Sequence, residues 1–419
     1  MCGCMASGSG RLGGEFWKFW TGQTISNLGT SFTQFALPLL VFKLTGSALN
    51  LAMTTAAEYL PYLLFGLVIG AWVDRVDRKR LMVVTDLTRA LVIATIPVLA
   101  SLNLLSVWWI YGVGFLGSTL AICFSAAEFA AIPSLVNRDA SEELVAANGR
   151  IQASYSAASI LGPLLAGAMV VYFSIPNLLV VDAASFLVSA LSLSWIGISF
   201  NVASQRSASS IRQDVLEGLR YVLRHPVLRN ISLMMALVNL VGTTTFAQLV
   251  LFSKERLQAS DAQIGLLFSA GSAGVVLLSL AAGPLRRRWR FSTVALGALM
   301  ISGFLNILLA LTTEYWIALP LWAAMNGLGI LFNINTASLR QAIVPNHLLG
   351  RILSIAMVLA WSANPVGAFI GGLAIEWTHN VALVYGVIGA LVVLIPFCFS
   401  FSPLGHAERY MPGQELAAT

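Results

Sequence analysis

The sequence predicts an all-α membrane protein with about twelve transmembrane helices, and two observations support this fold class. Hydrophobic residues make up 58% of the 419 residues, and the mean hydropathy is +0.82, whereas soluble domains are about 45–50% apolar. The apolar residues form runs near the roughly 20 residues that a helix needs to cross a bilayer. A cleavable signal segment explains only one such run, and a transmembrane barrel requires short alternating segments instead.

Charged residues and Pro/Gly breaks divide the apolar runs into the predicted spans. These are 17–43, 49–73, 79–101, 106–136, 144–173 and 178–199, followed by 228–252, 262–285, 291–312, 315–343, 350–376 and 380–402. They form two six-helix units, residues 15–199 and 228–402. We expect a disordered leader at 1–14, a cytoplasmic linker at 200–227 and a cytoplasmic tail at 403–419.

The positive charges predict the orientation of the spans, because Lys and Arg collect in cytoplasmic loops. With the N-terminus in the cytoplasm, 20 of the 24 Lys and Arg residues lie on the cytoplasmic side. Lys43, Lys254 and Arg256 fall outside, and Arg89 lies within a span. We therefore expect a multi-pass protein of the bacterial inner (plasma) membrane with both termini cytoplasmic. The net charge of +6 reflects this topology, and we expect no nucleic-acid partner.

The linker contains one segment with a helical pattern. Apolar residues between 211 and 223 recur at helical spacing on one face. The pattern predicts an amphipathic helix on the inner membrane surface, which connects the two units.

The sequence shows none of the usual patterns of an enzyme. Its four His residues are scattered at loops and span ends, and no phosphate-binding Gly-rich loop is visible. Cys2 and Cys4 lie in the leader, where a metal pair is the less favoured interpretation. We predict no enzymatic activity, no metal and no cofactor.

The two units resemble each other. "ILGPLLAG" (160–167) occupies the fifth predicted span, and "ANPVGAFIGG" (363–372) occupies the eleventh. "AANGRI" (146–151) and "LLGRIL" (348–353) precede them. This repetition predicts two pseudo-symmetric halves, and such halves place substrate sites at their interface near the middle of the bilayer.

These residues resemble the major facilitator superfamily. The match to its loop motif between helices two and three consists of Gly70, Asp74, Arg75, Arg78 and Lys79. "GPLLAG" is similar to the fifth-helix motif of antiporters and exporters, and "LPYLLFGLVIGAWVDRVDRKRLM" and "GRILSIAM" are similar to a drug:proton antiporter branch. That branch contains macrolide-efflux and enterobactin-export proteins. The resemblance covers essentially the whole chain after the leader.

The sequence departs from the family pattern at positions linked to proton coupling. The basic fourth-helix motif, Arg-x-x-Gln-Gly, is not found in 106–136, and Gly29-Thr30 stands where relatives often carry Gly-Asp.

The loop motif predicts a cytoplasmic gate. A carboxylate at Asp74 can cap the positive N-terminal end of the eleventh span, near Arg351, when the inner side is closed. Arg75 and Arg78 can add ion pairs to the fourth span. The alternative is that the motif only anchors the loop in the cytoplasm.

Acidic residues inside spans are costly unless paired, so each is a candidate site. The candidates for proton coupling are Glu58, Asp86, Glu128 and Asp182. Glu58 is the leading one, because it lies near mid-membrane without an obvious partner. Asp86 and Glu128 are alternatively part of a structural cluster with Arg89, Asp182 is alternatively a helix cap, and Glu58 is alternatively a neutral structural group.

The second half offers amides instead of acids. Candidates for an amphipathic cavity are Asn239, Gln248, Asn326, Asn333 and Trp361. Candidate hinges or close helix contacts are Gly162, Pro163, Gly167, Pro365, Gly367 and Gly371. Helix packing and interface belts are the alternative roles for both sets.

The sequence and the resemblance together lead to one functional expectation. We expect a monomeric secondary transporter that exports a moderately hydrophobic organic compound, such as a drug, siderophore or natural product, in exchange for protons. The alternatives are uptake or facilitated transport of a metabolite or lipid-like solute, and a transport-inactive receptor or scaffold on the same fold. The partners are then a small organic substrate, protons and the lipid bilayer.

Overall fold

The structure is a computed structural model that describes residues 12–73, 75–136, 141–200, 211–344, 352, 355–356 and 358–410. The described residues contain helices and no strand. The first half consists of α1 (Gly14–Thr45), α2 (Ala48–Val73), α3 (Arg78–Ser101), α4 (Val107–Leu135), α5 (Ser141–Met169) and α6 (Ile175–Ser194). The linker helix is α7 (Ile211–Arg224). The second half consists of α8 (Pro226–Ala247), α9 (Leu249–Glu255), α10 (Asp261–Arg288), α11 (Phe291–Leu311), α12 (Tyr315–Ile343), α13 (Ala363–Thr378) and α14 (Val381–Ser400).

Ten of the described helices are long and apolar enough to cross a membrane. One of them extends α13 towards the N-terminus, over Val358–Thr378. Helices α2 and α5, of 26 and 29 residues, complete six long helices in the first half. The predicted all-α, two-half membrane fold is confirmed.

The ends of the helices follow local sequence signals. Asp77 caps α3 by accepting a hydrogen bond from the Arg80 backbone N–H at 2.8 Å. Ser260 and Gln263 form a reciprocal capping box at the start of α10. Gly46 ends α1 in the left-handed conformation at φ 61°, which a residue without a Cβ adopts easily. The left-handed conformation of Gly46 allows the turn between α1 and α2 to be very short.

The seventh predicted span is interrupted in the structure. The seventh was expected to be continuous over 228–252, but it is divided at Gln248 into α8 and α9. The Gln248 side chain is buried and donates a hydrogen bond from Nε2 to the Ala48 carbonyl of the other half at 2.7 Å. The helix is therefore interrupted at a residue whose polar side chain is bonded to the other half.

The buried apolar residues show how the halves are joined. We call the end that holds the turn at 46–47 and the segment 256–260 the outer end, following the predicted orientation. One large cluster contains residues of both halves, including Phe35, Leu39, Phe252 and Phe268. Two smaller clusters belong to one half each, around Phe19 in the first half and around Met234 in the second. The continuous core therefore joins the halves towards the outer end.

Two pairs of helices form the main contacts between the halves. Helix α5 packs against α10, and α2 packs against α13. Many large apolar side chains point away from the bundle, among them Leu91, Phe129 and Leu280, which are 72%, 79% and 74% exposed. In a membrane protein such side chains face lipid rather than water.

Candidate functional site

Three adjoining cavities lie along the middle of the bundle. The C-half cavity, of about 440 Å³, is lined mainly by α8, α11 and α12. The central cavity, of about 400 Å³, is lined by residues of both halves. The N-half cavity, of about 210 Å³, is lined by α1 to α4 and α6. Tyr59 borders the first two cavities and Glu58 borders the last two, so α2 connects all three.

Glu58 occupies a position that the sequence singled out. It is the eleventh residue of α2, which places it roughly 15 Å along the helix from its outer end. Its carboxyl group forms no hydrogen bond or ion pair with the described part of the chain, and it borders the central and N-half cavities. A carboxyl group within a membrane is least unfavourable when it is neutral or faces water. The protonation of Glu58 can therefore change when the cavity gains or loses access to water.

A cluster of charged side chains lies at the N-half cavity, which Glu58 also borders. Arg89 borders the N-half cavity, and its Nη1 lies 3.9 Å from Oδ1 of the fully buried Asp86. Its guanidinium carbon also lies 4.0 Å from the ring centre of Phe186, a cation–π distance. Helices α3 and α6 are thereby joined through one cation, whose side chain is 13% exposed.

Asp182 also borders the N-half cavity. Its carboxylate accepts hydrogen bonds from Thr33 Oγ1 at 2.5 Å and Thr30 Oγ1 at 3.5 Å, which join α6 to α1. It lies two turns inside α6, whose N-cap position is Ser174. The interpretation of Asp182 as a helix cap was therefore wrong, because the helix begins earlier than the predicted span.

Glu128 lies next to these groups on α4. It is buried, and Tyr155 Oη of α5 donates a hydrogen bond to its Oε2 at 2.8 Å. Its Oε1 is buried without a partner among the described residues. The four acidic candidates within the spans of the first half thus lie in different environments.

The amide candidates divide into two groups. Asn239, Asn326, Asn333 and Trp361 border the C-half cavity. Gln248 does not border any of the three cavities, because its side chain is used in the contact with Ala48 between the halves. The prediction that Gln248 lines the cavity was wrong.

Two aromatic residues of the site were not predicted. Tyr59 and Tyr62 border the central cavity beside Glu58, and the ring of Tyr62 meets the ring of Trp361 edge to face at 4.9 Å. The segment "EYLPY" contained the signal, because residues three or four apart share one face of a helix. Tyr62 and Trp361 form a contact between the halves at mid-membrane.

The gate motif lies only partly within the described residues. Asp74 and its expected neighbour Arg351 fall outside them. Arg78 donates hydrogen bonds from Nη1 to the carbonyls of Ala130, on α4, at 3.4 Å and Phe200 at 3.3 Å. Lys79 donates to the Ile196 carbonyl, just beyond α6, at 2.5 Å. These two residues tie α3 to the ends of neighbouring helices of the first half.

The remaining motif positions are a helical glycine and an exposed arginine. Gly70 lies in the last turn of α2, and Arg75 lies in the turn before α3.

The predicted glycines lie at close helix contacts. A Cβ on Gly265 of α10 would lie 2.5 Å from the Pro163 carbonyl oxygen and 2.8 Å from the Gly167 Cα. A Cβ on Gly367 or Gly371 of α13 would collide with α8, and one on Gly162 would collide with Ser31 of α1. Pro365 is buried in the first turn of α13. Backbones therefore touch where α5 meets α10 and where α13 meets α8.

An ion cluster closes the outer end. Asp261, the first residue of α10, accepts from Lys43 Nζ of α1 at 2.5 Å and from Lys254 Nζ at 2.6 Å. One carboxylate thereby joins a cation of each half. Ser47 Oγ lies 3.4 Å from Glu376 Oε2 beside it, which is a further contact between the halves.

Two halves that meet at one end around a mid-membrane cavity with buried charges are the architecture of a multi-pass membrane transporter. The chain belongs to the major facilitator family described as "Transmembrane secretion effector", whose model matches residues 13–417. The predicted superfamily membership is confirmed.

The chain is similar to named efflux proteins. It is 28% identical over 356 residues to the multidrug efflux pump Tap of Mycolicibacterium fortuitum, covering 82% of this chain and 85% of the relative. It is 24% identical over 363 residues to macrolide efflux protein A of Streptococcus pyogenes, covering 86% and 89%. These relatives are transporters, as the fold indicates.

Solved structures share the fold at low identity. The nucleoside transporter NupG (D323A mutant) has a TM-score of 0.78 at 13% identity over 92% of this chain and 98% of its own. A bacterial homologue of the iron transporter ferroportin in an inward-facing state has a TM-score of 0.71 at 17% identity over the same shares. At these identities the likeness establishes the fold alone.

Proposed function

We propose that this protein exports a moderately hydrophobic organic compound from the cytoplasm in exchange for protons, by alternating access. The observation that carries the proposal is the position of Glu58, a mid-membrane carboxyl group on the wall between the central cavity and the charged N-half cavity. A single group there faces both the substrate space and the buried charges. It is therefore suited to couple proton binding to substrate binding.

The coupling follows from the cost of an unpaired charge in a membrane. When the cavity opens outwards to a more acidic solution, Glu58 takes up a proton and the closed, water-poor state becomes accessible. When the cavity opens to the less acidic cytoplasm, the proton leaves and the substrate binds. Asp86, Glu128 and Asp182 lie in the same half and are the further candidates for the proton path.

The contacts between the halves support alternating access. The shared apolar core, the backbone contact of Gly167 with Gly265 and the Asp261 cluster all lie towards the outer end. The clusters around Phe19 and Met234 stay within their own halves. In the predicted orientation this is the arrangement in which the outer side is closed.

The walls of the cavities support an organic, partly apolar substrate. Phe246, Phe268 and Trp322 line the central cavity together with Asn326 and Glu58. Ligand sites combine apolar and aromatic walls with a few polar groups in this way. The names of the two efflux relatives fit that class of compound. We propose that the protein works as a monomer in the bacterial inner membrane.

Transport into everted vesicles tests the proposal. Vesicles with an imposed proton gradient, acidic inside, are offered a panel of macrolides and of other amphiphilic drugs. We expect accumulation of at least one compound that stops when a protonophore collapses the gradient. Equilibration that ignores the gradient would favour facilitated transport, and no movement of any compound would favour the receptor alternative.

The orientation is tested by labelling. Single cysteines at positions 208 and 412 should react with a membrane-impermeant maleimide only after the cells are opened, because both positions are predicted to be cytoplasmic. A cysteine at position 258, at the outer end, serves as the control that reacts in intact cells. Labelling of position 208 or 412 from outside would overturn the topology.

The two ends should respond oppositely to loss of a carboxylate. In our proposal Asp261 stabilises the closed outer end and Asp74 stabilises the closed inner end. Asp261→Asn should therefore raise the outward-open fraction, and Asp74→Asn should raise the inward-open fraction. Exposed ion pairs and helix-end charges are worth up to about 1 kcal/mol, so each ratio should change by roughly 2- to 5-fold.

Distances between spin labels measure both fractions. Labels at 44 and 258 report the outer end, and labels at 80 and 290 report the inner end. Glu314→Gln is the control for Asp261, because Glu314 lies at the same end and is exposed without an ion pair among the described residues. Distance distributions that match those of the control would refute the role of the tested residue.

A further inference from the structure

The C-half cavity has an unusual polar lining for a membrane protein. Five asparagines border it, and they come from four helices of the second half: Asn239, Asn306, Asn326, Asn333 and Asn364. None of the described residues on its wall carries a charge at neutral pH. An ion bound there would lose its hydration without a counter-charge. The cavity is therefore suited to an uncharged polar group.

The hydrogen bonds of the asparagines show which of their atoms remain available. Asn239 donates from Nδ2 to the Ala360 carbonyl, and Asn326 donates from Nδ2 to the Trp322 carbonyl, both at 2.9 Å. A backbone carbonyl only accepts, so these contacts fix the orientation of each amide. Neither Oδ1 accepts a hydrogen bond from the described part of the chain. The oxygen atoms are thus held as free acceptors.

Asn306 adds a buried acceptor to the same wall. Its side chain is 3% exposed, and its Oδ1 has no partner among the described residues. Its Nδ2 lies 3.4 Å from Thr245 Oγ1, another residue of the cavity wall. A buried acceptor without a partner costs about 1–3 kcal/mol, which a ligand that donates a hydrogen bond would recover.

Two indole rings complete the lining. Trp322 and Trp361 border both the C-half and the central cavity. An indole ring packs well against the C–H face of a saturated ring, whereas an amide oxygen accepts hydrogen bonds from hydroxyl groups. A saturated ring that carries hydroxyl groups meets both requirements, because the hydroxyl groups are neutral hydrogen-bond donors and the C–H face of the ring is apolar.

We propose that the C-half cavity is the binding site for a neutral, hydroxyl-rich ring of the substrate, such as a neutral glycosyl group. The rest of the molecule then lies in the adjoining central cavity, beside Glu58. This inference rests on the proposed function for the kind of substrate, but it concerns binding and not proton coupling or direction. Asn326 and Asn239 are its main specificity-determining residues.

Helix α12 provides a matched control. Asn335 lies nine residues after Asn326, is buried, and donates from Nδ2 to the Leu331 carbonyl at 2.7 Å. Its Oδ1 is also without a partner among the described residues, but Asn335 does not border the cavity. The two residues therefore differ in access to the cavity and not in their local hydrogen bond.

The test measures binding by the full-length protein in nanodiscs without a proton gradient. The probes are a macrolide that carries one amino sugar and one neutral sugar, and the same macrolide after the neutral sugar has been hydrolysed off. Tryptophan fluorescence or calorimetry gives the affinities of wild type, Asn326→Leu and Asn335→Leu. Binding of the shortened macrolide to a variant also shows that the variant is folded.

We expect wild type to bind the complete macrolide about 10-fold or more tightly than the shortened one. Asn326→Leu should lose that preference and keep its affinity for the shortened macrolide, and Asn335→Leu should behave as wild type. Equal affinity of wild type for both probes, no binding of either, or equal effects of the two substitutions would overturn the inference. Absence of gradient-driven export with the binding preference intact would instead refute only the proposed coupling.

Discussion

Glu58→Gln should abolish gradient-driven export while leaving substrate binding in place. Glutamine resembles the protonated carboxyl group in shape and charge, so the substitution holds the site in one protonation state. A transporter that cannot release its proton cannot use the gradient. Accumulation should fall to the level of wild-type vesicles treated with a protonophore, whereas downhill exchange of labelled for unlabelled substrate should continue, because exchange requires no proton cycle.

The measurement compares uptake and exchange in the same everted vesicles, at equal protein content. Glu314→Gln is the control, since that carboxyl group is exposed at the start of α12 and does not border any of the three cavities. If Glu58→Gln vesicles accumulate substrate as the control does, Glu58 is not the coupling residue. Asp86, Glu128 and Asp182 would then be tested in that order.

Arg89→Met should destabilise the folded protein by about 3–5 kcal/mol, the cost of leaving buried charges without their partner. Arg89 is the one cation seen beside Asp86 and on the wall of the N-half cavity in the described part of the chain. The exposed Arg229→Met, on α8, should change stability by no more than about 0.5 kcal/mol.

Unfolding in mixed micelles with increasing SDS measures both free energies. The double variant Arg89→Met with Asp86→Asn should be more stable than Arg89→Met alone, because it removes one uncompensated charge. Equal stability of the Arg89 and Arg229 variants would show that the buried cluster does not stabilise this half. A double variant that loses the sum of both single effects would show that the two residues act independently.

Much of the fold was predictable, because crossing a bilayer imposes a fixed length of apolar chain and a bias in loop charge. The repeated segments around Gly162 and Gly367 also indicated two halves before any helix was placed. What the sequence did not show was which side of each helix faces inwards. Both the lipid side and the packed side of a membrane helix are apolar, so the pattern that marks the inner face of a soluble helix is weak here.

That limitation explains the errors in the site. Asp182 could be placed in the sixth span, but its bonds to Thr33 and Thr30 depend on how α6 packs on α1. Gln248 has the same chemistry as the cavity asparagines, and only the packing of the halves directs it to Ala48. Glu58 was easier to find, since a lone carboxyl group within an apolar span is unusual on any face.

Arg78 and Lys79 belong to a set of side-chain hydrogen bonds that tie the helices within each half. In the first half these residues fasten α3 to α4 and to the end of α6, and Gln23 bonds Ser189 at 3.0 Å to fasten α1 to α6. In the second half the seventh helix is interrupted at Gln248, and hydrogen bonds from Thr243 to Asn364 and from Tyr385 to the Thr245 carbonyl join α8 to α13 and α14. Each half is thus tied internally by side-chain hydrogen bonds, so in the proposed transport cycle we expect the two halves to move against each other as rigid bodies.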